Sequence, residues 1–433
     1  MDQVITVGLI GFGRIGRGVV RLILDRSETF MRKKGFGLRL KRIADLDVTT
    51  PRGVELPEDI LTTDAGAILD DPEVDIVIEL IGGLEPARRF VLRALERGKS
   101  VVTANKALLA RFGDELFRAA WEHGGDLAFE ASVCGGIPII RALRQGLFTD
   151  RIASLYGILN GTTNYILTKM AEEGRPFEKV LRQAQDAGYA EADPTLDISG
   201  KDAAQKLTIL LRIGFGSPFA PEDIFVEGIE RIGQQDIEYA RELGYVIKLL
   251  AIAKRSDRGI EARVHPAMIP QGALLASVRD EFNAVELLGD WVGPQVFYGR
   301  GAGERPTANA VVSDLVELAE RRLEGGASRS RELLSEEDGT TLIPMEEVIL
   351  PYYFRFLALD KPGGLAQIAE VLSQEGISIA SVLQKGRAQF EGAVPVVMMT
   401  HEAMEAGVQR AIQRINALPV VRDRTQVIRV EEL

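Results

Sequence analysis

The sequence predicts an α/β chain: a doubly wound parallel sheet, then an α+β region, then a small separate β-α-β module. Three observations carry this. Short apolar runs alternate with helical stretches from the start to about residue 135. Longer helical stretches mixed with isolated strand-like runs occupy 136–302. A hydrophilic stretch rich in Gly, Ser, Arg and Glu over 326–350 then sets off a last segment, 351–433.

The elements follow in order. Val4 to Ile10 is a short apolar run, Gly11-Phe12-Gly13-Arg14-Ile15-Gly16 is a glycine-rich turn, and Val19 to Leu24 continues as a helix. Leu38 to Ala44 is a second strand that ends at Asp45. Val74 to Ile81 is a third, running into Gly82-Gly83, and Ser100 to Ala104 a fourth. Strands alternating with helices imply a parallel sheet covered on both faces. In the next region helices are expected over 177–187, 201–211 and 237–253, with a strand over 151–158. A helix over 308–323 is expected to return to the first domain and complete it, over about 303–325. In the last segment, strands over 352–359 and 394–400 flank a helix over 364–375.

Composition narrows the function. The 433 residues hold 52 Lys and Arg against 63 Asp and Glu, a net charge of −11, and the basic residues form no stripe that would track phosphates. Nucleic acid is therefore not an expected partner. No apolar run approaches the roughly 18 residues of a membrane span. The first residues run directly into an apolar strand, so no leader is expected and the chain reads as cytoplasmic. One cysteine excludes a disulfide framework, and three well-separated histidines make a zinc site improbable.

The glycine-rich turn lies between a strand and a helix, where a dinucleotide pyrophosphate would rest. Gly11, Gly13 and Gly16 allow the tight turn and close backbone approach, and the helix start supplies amide donors. Asp45, closing the second strand, takes the ribose-reading place. It comes 34 positions after Gly11, a long interval that a long first helix explains. A carboxylate there leans toward NAD, while Arg42 and Arg52 lie near enough to favour NADP.

The segment from Gly188 to Lys206 concentrates charge: Glu191, Asp193, Asp197, Lys201, Asp202 and Lys206. Asp202 and Lys206 are four apart, so a helix beginning near Ser199 stacks them on one face. Asp193-Pro194 reads as a turn able to swing Glu191 back toward that face. Such a cluster can bind an amino acid and move a proton; as a plain solvated helix start it would do neither.

Several separated motifs together resemble the homoserine dehydrogenases. They are Glu79-Leu80-Ile81-Gly82-Gly83, Thr103-Ala104-Asn105-Lys106, Glu130-Ala131-Ser132-Val133, Gly157 to Leu167, Ala184 to Lys206, Phe282-Asn283-Ala284-Val285 and Gly299 to Ala308. The resemblance implies reversible, NAD(P)H-dependent reduction of L-aspartate 4-semialdehyde to L-homoserine in a Rossmann-type chain. It implies domains at 1–135 for the nucleotide (completed by about 303–325) and 136–302 for substrate and dimerisation, a linker at 326–350 and a regulatory domain at 351–433. It makes Lys206 the proton donor, with Lys106 beside the nicotinamide and Asp202 orienting Lys206 or a water. Glu191, Asp197 and Thr162 would bind substrate, Glu191 taking its amino group. Gly11, Phe12, Gly13, Arg14, Ile15, Gly16, Asp45, Gly82, Lys106, Gly303 and Glu304 would hold the cofactor. Glu130, Val133, Gly135 and Ile137 match the positions that bind a monovalent cation, typically sodium, mainly through backbone oxygens. A homodimer or homotetramer is expected.

Tyr353 to Ala369, followed by Gly376-Ile377-Ser378-Ile379, resembles an ACT domain, of ferredoxin-like fold. Asp360, Gly363, Gly364, Leu365 and Ile377 would then meet an amino-acid effector, with threonine the expected feedback inhibitor. Gly364 stands where that family usually has an apolar residue. Two rival readings are an acylating dehydrogenase using Cys134 as nucleophile and a non-catalytic amino-acid sensor. Cys134 lacks an obvious histidine partner, and the presence of both Lys106 and Lys206 argues against the sensor.

Overall fold

Six parallel strands form the first sheet: β1 (Gln3–Ile10), β2 (Phe36–Ala44), β3 (Leu61–Thr62), β4 (Ile76–Glu79), β5 (Ser100–Thr103) and β6 (Leu127–Ala128), in the order β3-β2-β1-β4-β5-β6. The order reverses between β1 and β4, the point at which such sheets open a crevice for a ligand. The structure is a computed structural model and describes residues 3–57, 59–326, 328–334, 340–385 and 392–433. The chain divides into two units, one of residues 1–152, 205–223 and 283–339, the other of 153–204, 224–282 and 340–433. No helix among the described residues is long and apolar enough to cross a membrane.

In the first unit, β1 is buried along most of its length, as a central parallel strand must be. The Arg14–Lys34 helix ends at Gly35, whose φ of 76° lets its amide return to the Met31 carbonyl at 3.0 Å. That length accounts for the late position of Asp45. The Glu304–Glu324 helix supplies Ala308, Val311, Val312, Leu315 and Ala319 to one apolar cluster with Val7, Leu9, Val19, Val20 and Ile23. Its approach to the first helix is close: a Cβ on Gly18 would lie 2.9 Å from the Glu304 side chain and 3.1 Å from that of Ala308.

In the second unit the main strands are β7 (Ile152–Ile158), β8 (Tyr245–Ser256), β9 (Gly259–Pro270), β10 (Tyr352–Leu359), β11 (Ile379–Gln384), β12 (Ala393–Thr400) and β13 (Gln426–Val430), ordered β7-β8-β9-β13-β10-β12-β11, with the short strand Phe225–Val226 also paired to β9. The last four, with the Gly364–Gln374 and Glu405–Asn416 helices, make a ferredoxin-like βαββαβ module. Its fourth strand also runs parallel to β9, Ala267 facing Arg429 and Met268 facing Val430, so one sheet continues through both parts of the unit.

One expected helix is a strand. The chain is helical over Gln234–Glu242, turns at Gly244 (φ 85°) and runs as β8 from Tyr245. Ile247, Leu249, Leu250, Ala251, Ile252 and Ala253 are all buried, so the run shows neither helical nor alternating period and its pattern alone cannot separate the two. Within the hydrophilic 326–350 stretch, Ser330–Leu333 and Met345–Glu347 form single turns, and Ile349–Leu350 pairs with Ala403–Met404.

Candidate active site

The glycine turn is fixed by steric need. Gly11 has φ 103°, and a Cβ there would lie 2.7 Å from the Leu80 backbone. A Cβ on Gly16 would meet the Gly11 carbonyl at 2.2 Å. Gly13 has nothing within 4 Å on that side, leaving room for a pyrophosphate at the start of the Arg14–Lys34 helix. Arg14 and Ile15 open that helix, and Ile15 packs on the apolar cluster. Asp45 sits at the end of β2, but part of its carboxylate is already engaged. One oxygen accepts from the Phe12 amide at 2.6 Å and the other from the Asp47 amide at 2.9 Å. Arg52 stands 3.7 Å from Asp45, with its guanidinium 5.9 Å from the Phe12 ring centre. Gly303 (φ 115°) precedes the Glu304–Glu324 helix, and the Glu304 carboxylate is held by Arg17, which keeps it below the usual carboxylate range.

Lys106 is the first residue of the Lys106–Glu122 helix and is placed by a buried relay. Glu79 accepts from the Ile81 amide at 2.9 Å, the Gly82 amide at 3.1 Å and the Thr103 hydroxyl at 2.6 Å. Burial pushes Glu79 above its usual value, against those hydrogen bonds. Asn105 caps the helix by accepting from the Leu108 amide, and its Nδ2 donates to the Gly83 carbonyl at 2.7 Å. The two sequence motifs are thus one hydrogen-bonded framework around Gly82 and Lys106.

The expected cation loop is strongly braced. Glu130 is buried, and its carboxylate oxygens accept from the Ile140 and Arg141 amides at 2.9 and 2.8 Å. Its own amide donates to Asp314, a fully buried carboxyl that burial, reinforced by Glu130, pushes up to about 8. Burial also raises Glu130. Because the Glu130 side chain is committed to amides, main-chain oxygens are what the loop has to offer a cation. The carbonyls of Val133 and Gly135 accept no main-chain hydrogen bond among the described residues, while Ile137 donates to Cys134 and accepts from Ile139. Oxygen-only donors of this kind suit a hard cation. No cluster of three or more His, Cys, Asp or Glu able to hold a metal occurs among the described residues. Cys134 (φ 50°) is 1% exposed and its Sγ accepts from Asn283 Nδ2 at 3.4 Å, a packed thiol closed to a substrate.

The acidic segment comes together around a residue the sequence reading gave no role. Asn160 Nδ2 donates to Asp197 Oδ1 at 2.7 Å and to Asp202 Oδ2 at 2.8 Å. Asp202 and Lys206 lie one turn apart on the Lys201–Phe215 helix, as their spacing predicts. Thr162, expected to meet substrate, donates its hydroxyl proton to the Tyr189 carbonyl at 2.8 Å. Glu191 does not swing onto the Asp202 face by any hydrogen bond of its side chain; it sits exposed, its carbonyl held by Gln185 at 3.2 Å. The signal for Asn160 was the Asn-Gly-Thr-Thr run, which reads as a helix cap.

In the C-terminal module Gly363 is left-handed (φ 86°) and Gly364 opens the following helix. A Cβ at Gly364 would come 3.2 Å from the Leu359 carbonyl, a tight contact that the glycine avoids. Asp360 and Leu365 are exposed at this loop. Ile377 is 4% exposed and belongs to the module's core, so its side chain is closed to an effector.

Residues 11–130 match the family model described as homoserine dehydrogenase, NAD binding domain; 138–316 match homoserine dehydrogenase and 352–420 the ACT domain. The chain belongs to the homoserine dehydrogenase family. Homoserine dehydrogenases of Bacillus subtilis and Pseudomonas aeruginosa are 42% and 43% identical to it, each over 99% of both chains. The solved homoserine dehydrogenase of Thiobacillus denitrificans is 45% identical over 100% of both chains, with a TM-score of 0.93. A hyperthermophilic archaeal homoserine dehydrogenase in complex with NADPH is 27% identical over 73% of this chain and 98% of its own, with a TM-score of 0.62. As a family member the chain is an NAD(P)-dependent oxidoreductase of amino-acid biosynthesis with a C-terminal ACT domain.

Proposed function

We propose that the chain reversibly reduces L-aspartate 4-semialdehyde to L-homoserine, and that the Asp202–Lys206 helix face carries the proton transfer. A bound reduced nicotinamide supplies the hydride. Lys206 gives a proton to the aldehyde oxygen, and the Lys106 ammonium stabilises negative charge developing there. Asp202 orients Lys206 or a water. Glu191 takes the substrate's amino group, with Asp197 and Thr162 completing its site. Gly11 to Gly16, Gly82, Gly303 and Glu304 shape the nucleotide site. The observation carrying this reading is the joining of Asp197 and Asp202 by one carboxamide, one turn before Lys206.

Asp45 supports NAD, while Arg52 beside it supports NADP; Arg52 is the residue on which the preference turns. Sodium held by main-chain oxygens of Glu130, Val133, Gly135 and Ile137 would order the loop next to the nicotinamide. Threonine at the Asp360–Leu365 loop would be the effector of a cytoplasmic homodimer or homotetramer. The domains we propose are 1–135 with 303–325, 136–302 and 351–433.

The test is oxidation of NADH and NADPH by aspartate 4-semialdehyde, with and without sodium and with and without threonine. Lys206→Ala should lower turnover about 1,000-fold while sparing nucleotide affinity. Unchanged turnover removes Lys206 from the mechanism. Arg52→Ala should weaken NADPH more than NADH; an equal effect on both sinks its assigned role.

A further inference from the structure

Asn160 is saturated at both ends of its side chain. Its Oδ1 accepts from the Thr163 amide at 2.8 Å and so caps the Gly161–Glu173 helix, while Nδ2 is shared between Asp197 and Asp202. Asn160 is 5% exposed and Asp202 3%. Two carboxylates that share one donor repel each other, and the carboxamide between them offsets that repulsion and sets their separation.

The capped helix is itself anchored. Asn164, one turn on and 1% exposed, donates through Nδ2 to the carbonyls of Asp280 at 2.9 Å, Phe282 at 3.2 Å and Val278 at 3.3 Å. Its Oδ1 accepts from Lys248 Nζ at 2.9 Å, and Lys248 also donates to the Val278 carbonyl. The Asn164 carboxamide thus gathers three loop carbonyls, and buried Lys248 holds both that carboxamide and the Val278 carbonyl. Burial lowers Lys248 to about 8, reinforced by Arg279 and opposed by Asp280 and Glu172. Lys169 ties Asp280 back to the same helix at 2.9 Å. An unfavourable buried charge in this place is consistent with a gain in positional definition.

We propose that Asn160 is a positioning residue of the reaction: its carboxamide sets the separation of Asp197 and Asp202, and the Asn164–Lys248 anchor fixes the helix from which it acts. This rests on the reaction assigned above.

Two variants keep the helix cap and remove the bridge. Asn160→Asp retains an acceptor for the Thr163 amide but turns the shared donor into a third acid. Asn160→Ser retains a capping oxygen without added charge. Asn160→Asp should lower kcat/KM about 100-fold and Asn160→Ser about 10-fold. In both, kcat should fall more than KM rises, and the acidic limb of the pH profile should move to higher pH. Hydrogen exchange over 195–202 should accelerate in both. A folded variant with unmoved pH profile and kcat/KM within twofold of the parent overturns the proposal, and so does unchanged exchange over 195–202. If the parent chain turns over no aspartate 4-semialdehyde the reaction reading fails, and the exchange measurement still decides whether Asn160 clamps the segment.

Discussion

Around β1 the interior is built of Val, Ile, Leu, Ala and Phe, whereas around β9, β10 and β13 much of it is built of charges. Arg263 (1% exposed) donates to Glu431 at 2.7 Å, and Lys254 reaches the other oxygen of Glu431 at 2.8 Å. Arg429 donates to Glu405 at 2.9 Å and Glu227 at 2.7 Å, and the Tyr352 hydroxyl joins Glu405 at 2.7 Å. Arg355 binds Asp236 at 2.6 Å, with Tyr353 beside it at 3.1 Å. His265 is fully buried 4.0 Å from Glu431; burial, then Arg429 and Arg263, hold it well below its usual value, so it stays neutral. Apolar burial is non-directional and stabilises whatever packs. Buried ion pairs add little net stability but tolerate only one register. The second unit uses them where the ACT module's strand β13 meets β9.

The contrast can be broken most severely at Glu431. Glu431→Ala should destabilise the second unit by about 3 kcal/mol in urea titration, since it takes the carboxylate from Lys254 and leaves the buried Arg263 only Glu261. Pairing the change with Arg263→Met should recover most of that loss; a double variant as unstable as the single would mean packing, not charge, dominates there. In the first unit Leu9→Ala should cost about 3 kcal/mol through cavity formation alone. That loss should not vary between pH 6 and 9, roughly the range in which carboxylates and most lysines keep their charge.

Lys248 sharpens the comparison through pH. Its folded value of about 8 lies below the ordinary 10.5, so the buried ammonium penalises the folded state fully below pH 8. That penalty disappears as pH rises from about 8 to 10.5, by at most about 3 kcal/mol. The parent chain should therefore gain thermal stability relative to Lys248→Met across that window; a constant difference would show that Lys248 does not titrate there. The smallest expected effect is at Asn105: Asn105→Ala should cost about 1 kcal/mol as a lost helix cap. It should also reduce turnover by loosening Lys106, and unaltered kinetics would separate the cap from the site.

Local patterns made the first sheet legible. The glycine turn, the strand end at Asp45 and the Asp202–Lys206 pair all depend on contacts or periods within a few residues, whereas the third strand, expected over 74–81, spans Ile76–Glu79. The strand β8 was misread as helix because burial on both faces erased its period. Asn160 meets Asp197 and Asp202 from 37 and 42 residues away, and no short-range pattern announces such a bridge. Glu130 was marked only by the family resemblance, and the capture of its carboxylate by the Ile140 and Arg141 amides depends on how the chain returns. Asp45 likewise revealed its place but not its bond to the Phe12 amide.

The pairing of β9 with β13 joins residues roughly 160 positions apart, Ala267 with Arg429, and that interval orders events during synthesis. The nucleotide unit is complete once residue 339 has left the ribosome. At that moment β9 is already paired at Arg263 and Val264 by Phe225 and Val226, and only its Ala267–Met268 stretch still lacks β13. Translational arrest or cleavage between 340 and 425 would thus leave the Ala267–Met268 stretch of β9 without β13 and free to recruit a strand from another molecule.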